Sequence, residues 1–124
     1  MKVTIGQNKY CLWMRVGGEK HRYVIEWTSV ELSYARWLLK KFLNYYVDTD
    51  KIERGKRIKV EIPDELLTKA LKLSSAISDY SLSAIKGFRE EFKNNIKAET
   101  PEQLLDRMKE VVDKYMTIRV LRSM

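Results

Sequence analysis

The stretch KYCLWMRVGGEKHRYVIEW, running from Lys9 to Trp27, decides how this chain folds. Up to Val16, the apolar set Tyr10, Leu12, Met14 and Val16 alternates with Lys9, Cys11, Trp13 and Arg15, the two-residue period of a strand. Gly17-Gly18 then reads as a hairpin turn, because glycine accepts the positive φ that tight turns require. On the return, His21, Tyr23, Ile25 and Trp27 alternate with Lys20, Arg22, Val24 and Glu26. Strict alternation carries face identity across such a turn. It predicts one apolar face of Tyr10, Leu12, Met14, Val16, Tyr23, Ile25 and Trp27. The opposite face collects Lys9, Trp13, Arg15, Lys20 and Arg22.

Working outward, residues 2–5 are short and β-branched and predict a first strand, with Gly6-Gln7-Asn8 as its turn. Lys56 to Ile62 alternates again and predicts a fourth strand. It adds Ile58, Val60 and Ile62 to the apolar face and Arg57 and Lys59 to the other, where only Glu26 and Glu61 oppose the cations. Between these strands, Thr28-Ser29-Val30-Glu31 fits a capping box and predicts a helix to about Val47. Its stripe is Ala35, Leu38, Leu39, Phe42 and Tyr46, with Arg36, Lys40 and Lys41 on another side.

Pro63 suits the first position of a further helix, and Asp64 and Glu65 complement its positive end. Two apolar stripes follow, Leu67 to Ile77 and Ile85 to Ile96, in one bent helix or two. The serine-rich segment Ser74–Ser83 either breaks that helix or lets a neighbouring backbone approach closely. Thr100-Pro101-Glu102-Gln103 is a second capping box. The last helix carries Leu104, Met108, Val111, Val112, Tyr115 and Met116, and residues 117–121 extend it or form a short strand. The fold class is α+β: a four-stranded antiparallel sheet with helices covering one face and a helical C-terminal half. A single domain spans residues 1–124, its sheet and first helix in 1–62.

Composition agrees with one folded domain. The 124 residues are 44% hydrophobic and 33% charged, which excludes a disordered tail and a membrane span. One cysteine excludes an internal disulfide and a zinc-finger site. Met1-Lys2 leads into the first strand with no apolar signal core, so the expectation is a cytoplasmic protein. The net charge of +7 is unevenly distributed. Residues 1–62 hold 13 basic and 7 acidic side chains, and residues 63–124 hold 11 and 10. All three tryptophans (Trp13, Trp27, Trp37) precede residue 38.

Catalytic chemistry finds little support. His21 and Cys11 are the only imidazole and thiol, and parity puts them on opposite faces. Asp48-Thr49-Asp50 opens like a calcium loop, but the sixth and twelfth positions are Glu53 and Lys59, where glycine and glutamate are needed. Pro63-Asp64 with Glu91-Phe92-Lys93 imitates a nuclease pattern, yet both pieces lie in helical sequence. No glycine-rich phosphate loop is present; Arg54-Gly55-Lys56-Arg57 reads instead as a basic turn able to touch a phosphate backbone. The expectation is a protein that is not an enzyme, with no cofactor and no metal.

Cations gathered around an indole match an anionic ligand with flat rings. The leading expectation is sequence-independent binding of single-stranded nucleic acid. Trp13 would stack on bases, Lys9, Arg15, Lys20, Arg22, Arg57 and Lys59 would meet phosphates, and Arg36, Lys40 and Lys41 would extend the track. Tyr10 and Trp27 are assigned to the core. Two alternatives stay open: a solvated face with Trp13 packed under Arg22 as a cation–π pair, and a protein-docking face. The second would make the chain an interaction subunit or inhibitor within a nucleoprotein assembly.

The strand Tyr10-Cys11-Leu12-Trp13, the Gly17-Gly18 turn, His21 to Trp27 and the Arg36–Tyr46 helix together resemble ThermoDBP. This is a family of single-strand DNA-binding proteins from some hyperthermophilic archaea. The likeness is architectural over most of the chain. It implies sequence-tolerant DNA binding without an OB-fold and a homodimer through the C-terminal helices. Few glutamines and abundant Lys, Glu and Tyr are compatible with a thermophile.

Overall fold

The computed structural model describes residues 1–123. Four strands, β1 (Lys2–Gln7), β2 (Cys11–Val16), β3 (Tyr23–Trp27) and β4 (Arg57–Glu61), form one antiparallel sheet in the order β3-β2-β1-β4. Helix α1 (Tyr34–Leu43) follows β3. Helices α2 (Asp64–Asp79), α3 (Phe88–Asn95) and α4 (Pro101–Ser123) complete the chain. The α+β architecture is the one the periodicities predict.

All helices lie on one side of the sheet. Val3, Ile5, Leu12, Met14, Val16 and Ile25 of the strands join Leu38, Phe42, Leu67, Phe88, Phe92, Leu104 and Met108 of the helices in one continuous core. The stripe of α4 (Leu104, Leu105, Met108, Val111, Val112, Tyr115) is buried within this same chain. It is therefore not a free dimerisation seam. No described helix is long and apolar enough to cross a membrane.

Local chemistry sets the boundaries, and several differ from the sequence expectation: α1 ends at Leu43 rather than near Val47, and Pro63 precedes α2 as its cap rather than opening it. Gly6 belongs to β1 rather than to a turn; the turn comes later, where the Asn8 side-chain oxygen accepts from the amides of Tyr10 (2.7 Å) and Cys11 (2.8 Å). The β2–β3 connection is longer than a tight Gly-Gly hairpin, since β3 begins only at Tyr23. Helix α1 starts at Tyr34 and is capped not by Thr28 but by Ser33, whose Oγ accepts from the Arg36 amide. Thr28 is still held by the sheet: its amide donates to the Tyr10 carbonyl at 2.8 Å and its hydroxyl to the same oxygen at 3.1 Å. With its amide engaged by Tyr10, Thr28 has no N–H left for the Glu31 side chain to meet in a capping box.

The helical half resolves into separate elements. After α2 the chain turns through Ser81 in the left-handed region, and Gly87 (φ 95°) opens α3. The serines do bring backbones together: Ser74 Oγ, on α2, donates to the Ala35 carbonyl of α1 at 2.9 Å. Thr100 caps α4, its Oγ1 accepting from the Gln103 amide, while the Gln103 side chain reaches the amide of Glu99. Residues 117–121 continue α4.

Candidate nucleic-acid interface

The sheet face away from the helices is built in rungs. Register places Arg15, Thr4 and Lys59 side by side across β2, β1 and β4. The next rung is Val24, Trp13, Gly6 and Arg57. Beyond it Cys11 pairs with Trp27, and at the other end Lys2 pairs with Glu61. Because β1 lies between β2 and β4, Thr4 and Gly6 separate the cations, which are never direct cross-strand neighbours. Like charges placed directly opposite would repel. The small residues of β1 relieve that.

Trp13 is on this uncovered face, but its two ring surfaces are both occupied. One lies on Gly6, where a β-carbon would stand 2.9 Å from Nε1 and closer still to Cε2 and Cζ2. The other lies under Arg22, whose guanidinium carbon is 4.0 Å from the ring centroid. The indole is left 6% exposed, and with Cys11 it is buried outside the main core. The Trp13–Arg22 pairing is thus one of the alternatives the sequence left open, and no base can reach that ring without displacing Arg22.

Parity through the hairpin breaks at one point. Leu12 pairs with Glu26 but Trp13 pairs with Val24, so β3 bulges at Ile25. A bulge sets two residues against one and shifts the alternation beyond it. Glu26 consequently turns to the helix side, where Lys40 of α1 donates to it at 3.0 Å. Trp27 turns to the open face with Cys11 and is 40% exposed. Tyr10, in the turn before β2, is 63% exposed. Both were expected in the core.

The remaining predicted residues divide into two groups. Arg57 and Lys59 are exposed on β4, Arg15 is half-buried beside Thr4, and Lys20 and Arg22 lie in the segment between β2 and β3. Lys9 stands 5.7 Å from the Tyr10 ring centroid. Among the described residues, none of these six cations has a carboxylate within 4.0 Å. Arg36, Lys40 and Lys41 are on α1, across the sheet, and do not extend this surface. Lys40 bridges Glu26 and Asp50, and Lys41 lies 5.1 Å from the Tyr45 ring centroid.

At one end of the face, Trp13, Arg22, Arg57, Lys56, Gln7 and Asn8 line a depression of about 200 Å³, closed by Gly55. Gly55 (φ 82°) turns the chain and donates its amide to the Gln7 carbonyl at 2.7 Å. That fixes the basic turn beside the sheet. Such a depression offers three cations and two amide side chains to one oxyanion.

The motifs considered for chemistry serve the structure. Asp48 caps a short 3-10 turn by accepting from the Asp50 amide. Glu91 pairs with Lys114, and Asp64 with the Met1 amino group. Among the described residues no group of three or more His, Cys, Asp or Glu side chains converges as a metal site would require. No protein-family model, curated protein or solved structure matches the chain.

Proposed function

We propose that the open sheet face binds single-stranded nucleic acid without catalysis and largely without regard to sequence. The observation that carries the reading is a set of cations, Arg15, Arg22, Arg57 and Lys59 foremost, displayed on one uncovered face with, among the described residues, no carboxylate partner. Phosphates supply the missing countercharge. Bases stack on exposed ring surfaces, and here those are Trp27 and Tyr10 at one margin and the outer plane of the Arg22 guanidinium. Trp13 acts underneath, as the plate that holds Arg22 flat.

The test is fluorescence anisotropy with a labelled oligonucleotide over a salt series. Engaging about four phosphates predicts a log–log slope near −3 for a single strand. Arg57→Ala with Lys59→Ala should lower the slope by roughly 1.4. A slope near zero, or an unchanged slope in that double variant, would reject the interface.

A second reading, a protein-interaction subunit, draws on Val120 and Leu121 of α4, which are 50% and 64% exposed. Sedimentation separates the two: self-association or inertness toward an oligonucleotide favours the second, and a shift with oligonucleotide favours the first.

A further inference from the structure

A second concave site stands on the other side of Arg22. A cleft of about 320 Å³ opens between the start of β3, the first turn of α1 and the last turns of α2. Arg36 enters it from α1, and His21 and Arg22 from the segment before β3. The Arg36 Nε is sealed from solvent and, among the described residues, has no hydrogen-bond partner. Among the described residues its guanidinium also has no carboxylate within 4.0 Å. Arg36 as a whole is half-buried, and its sealed Nε is one buried donor without the acceptor such groups ordinarily have.

The rest of the lining suits an oxyanion. Ser33, Ser75 and Ser78 line the cleft; Ser33 Oγ accepts from the Arg36 amide and keeps its own proton to donate, while Ser74 Oγ is engaged with the Ala35 carbonyl. The first turn of α1 carries no acidic residue, leaving its positive end uncompensated. Asp79, at the end of α2, is the one carboxylate in the lining, and among the described residues it has no cation within 4.0 Å. A fork of guanidinium N–H groups with several hydroxyl donors fits the three oxygens of a phosphate monoester. The cleft is also roomier than a lone carboxylate needs.

We propose that this cleft is a phosphate-monoester site, taking either a free mononucleotide or the phosphorylated end of a strand. It stands apart from the open face except for Arg22. Inorganic phosphate alone tests it, so its failure is distinguishable from failure of the single-strand reading.

His21 is the only histidine, and its ring protons give a single NMR reporter at the cleft. Titration with inorganic phosphate and with adenosine monophosphate should move that signal saturably. Arg36→Gln should weaken binding about tenfold. Because Arg36 is partly buried, Ser78→Glu provides a second variant on the α2 wall, placing a carboxylate in the cleft and abolishing saturation. Lys93→Ala, on α3 and in the lining of neither depression, should change nothing. In oligonucleotide binding, a 5′-phosphate that tightens affinity in the wild type and not in Ser78→Glu identifies a strand end. A mononucleotide that saturates without such a gain identifies the free ligand. A signal that fails to saturate, or moves equally in both cleft variants, overturns the site.

Discussion

The indole of Trp13 rests on the bare backbone of Gly6, its register partner across β1 and β2. No side chain fits between them. Arg22 closes the other ring surface at 4.0 Å, so a backbone, an indole and a guanidinium form three successive layers on an otherwise open face. The first strand's only glycine is therefore a packing requirement, and the orientation of Arg22 depends on it.

Gly6→Ala should force the indole off its seat. Overpacking of this kind costs about 1–3 kcal/mol. Urea unfolding followed by tryptophan fluorescence should show that loss together with an altered native emission, since Trp13 would become more exposed. An unchanged denaturation midpoint would contradict the layered arrangement.

Strand affinity should respond to Trp27 far more than the core does. Trp27→Ala is expected to weaken oligonucleotide binding by about 1–3 kcal/mol, the worth of one stacked base. Its effect on thermal stability should be small, because the ring is largely outside the core. Equal binding by wild type and variant in an anisotropy titration would remove Trp27 from the interface.

The Lys40 ammonium ties Glu26, beyond the bulge, to Asp50 in the loop after α1. Loss of hydration pulls its pKa down, but the hydrogen bonds and charges of Glu26 and Asp50 outweigh this and raise it above the ordinary 10.5. A raised folded pKa means the contribution is full below the unfolded value and is lost as pH rises through the folded one. Lys40→Met should therefore be less stable than wild type near neutrality, with the gap narrowing at strongly alkaline pH. Chemical denaturation at a series of pH values checks the sign.

Tyr45 anchors the loop that enters α4, its O–H donating to the Ala98 carbonyl. Burial raises its pKa above 10.0, partly offset by the positive charge of Arg107. Tyr45→Phe should cost about 0.5–1.5 kcal/mol. Phenolate absorbance should also lose one of the late-titrating components; an unaltered alkaline tail would show that Tyr45 is not the group held back.

Much of this molecule is legible in particular residues. The alternation of Leu12, Met14 and Val16 marks β2, the Ile58–Val60–Ile62 set marks β4, and Thr100-Pro101 marks the start of α4. Arg57 and Lys59 share a face of β4, and Arg15 shares one with Trp13 on β2, because side-chain parity within a strand is local geometry. Trp27 and Glu26 were misassigned for the converse reason. A bulge at Ile25 adds one residue to β3, and nothing in Tyr23-Val24-Ile25-Glu26-Trp27 marks where the extra residue falls. Thr28 looked like a cap because its type and spacing from Glu31 are right, yet its donors were already engaged by Tyr10.

Local sequence alone determined the number of strands, the helical character of the second half and the excess of cations in the first. These follow from periodicity and composition, which require no knowledge of neighbours. Tertiary structure decided that β1 lies between β2 and β4, that Trp13 is covered while Trp27 is open, and that α1 keeps its own cations off the binding face. Each of those depends on which chain segments become adjacent, and adjacency arises only when the whole core closes.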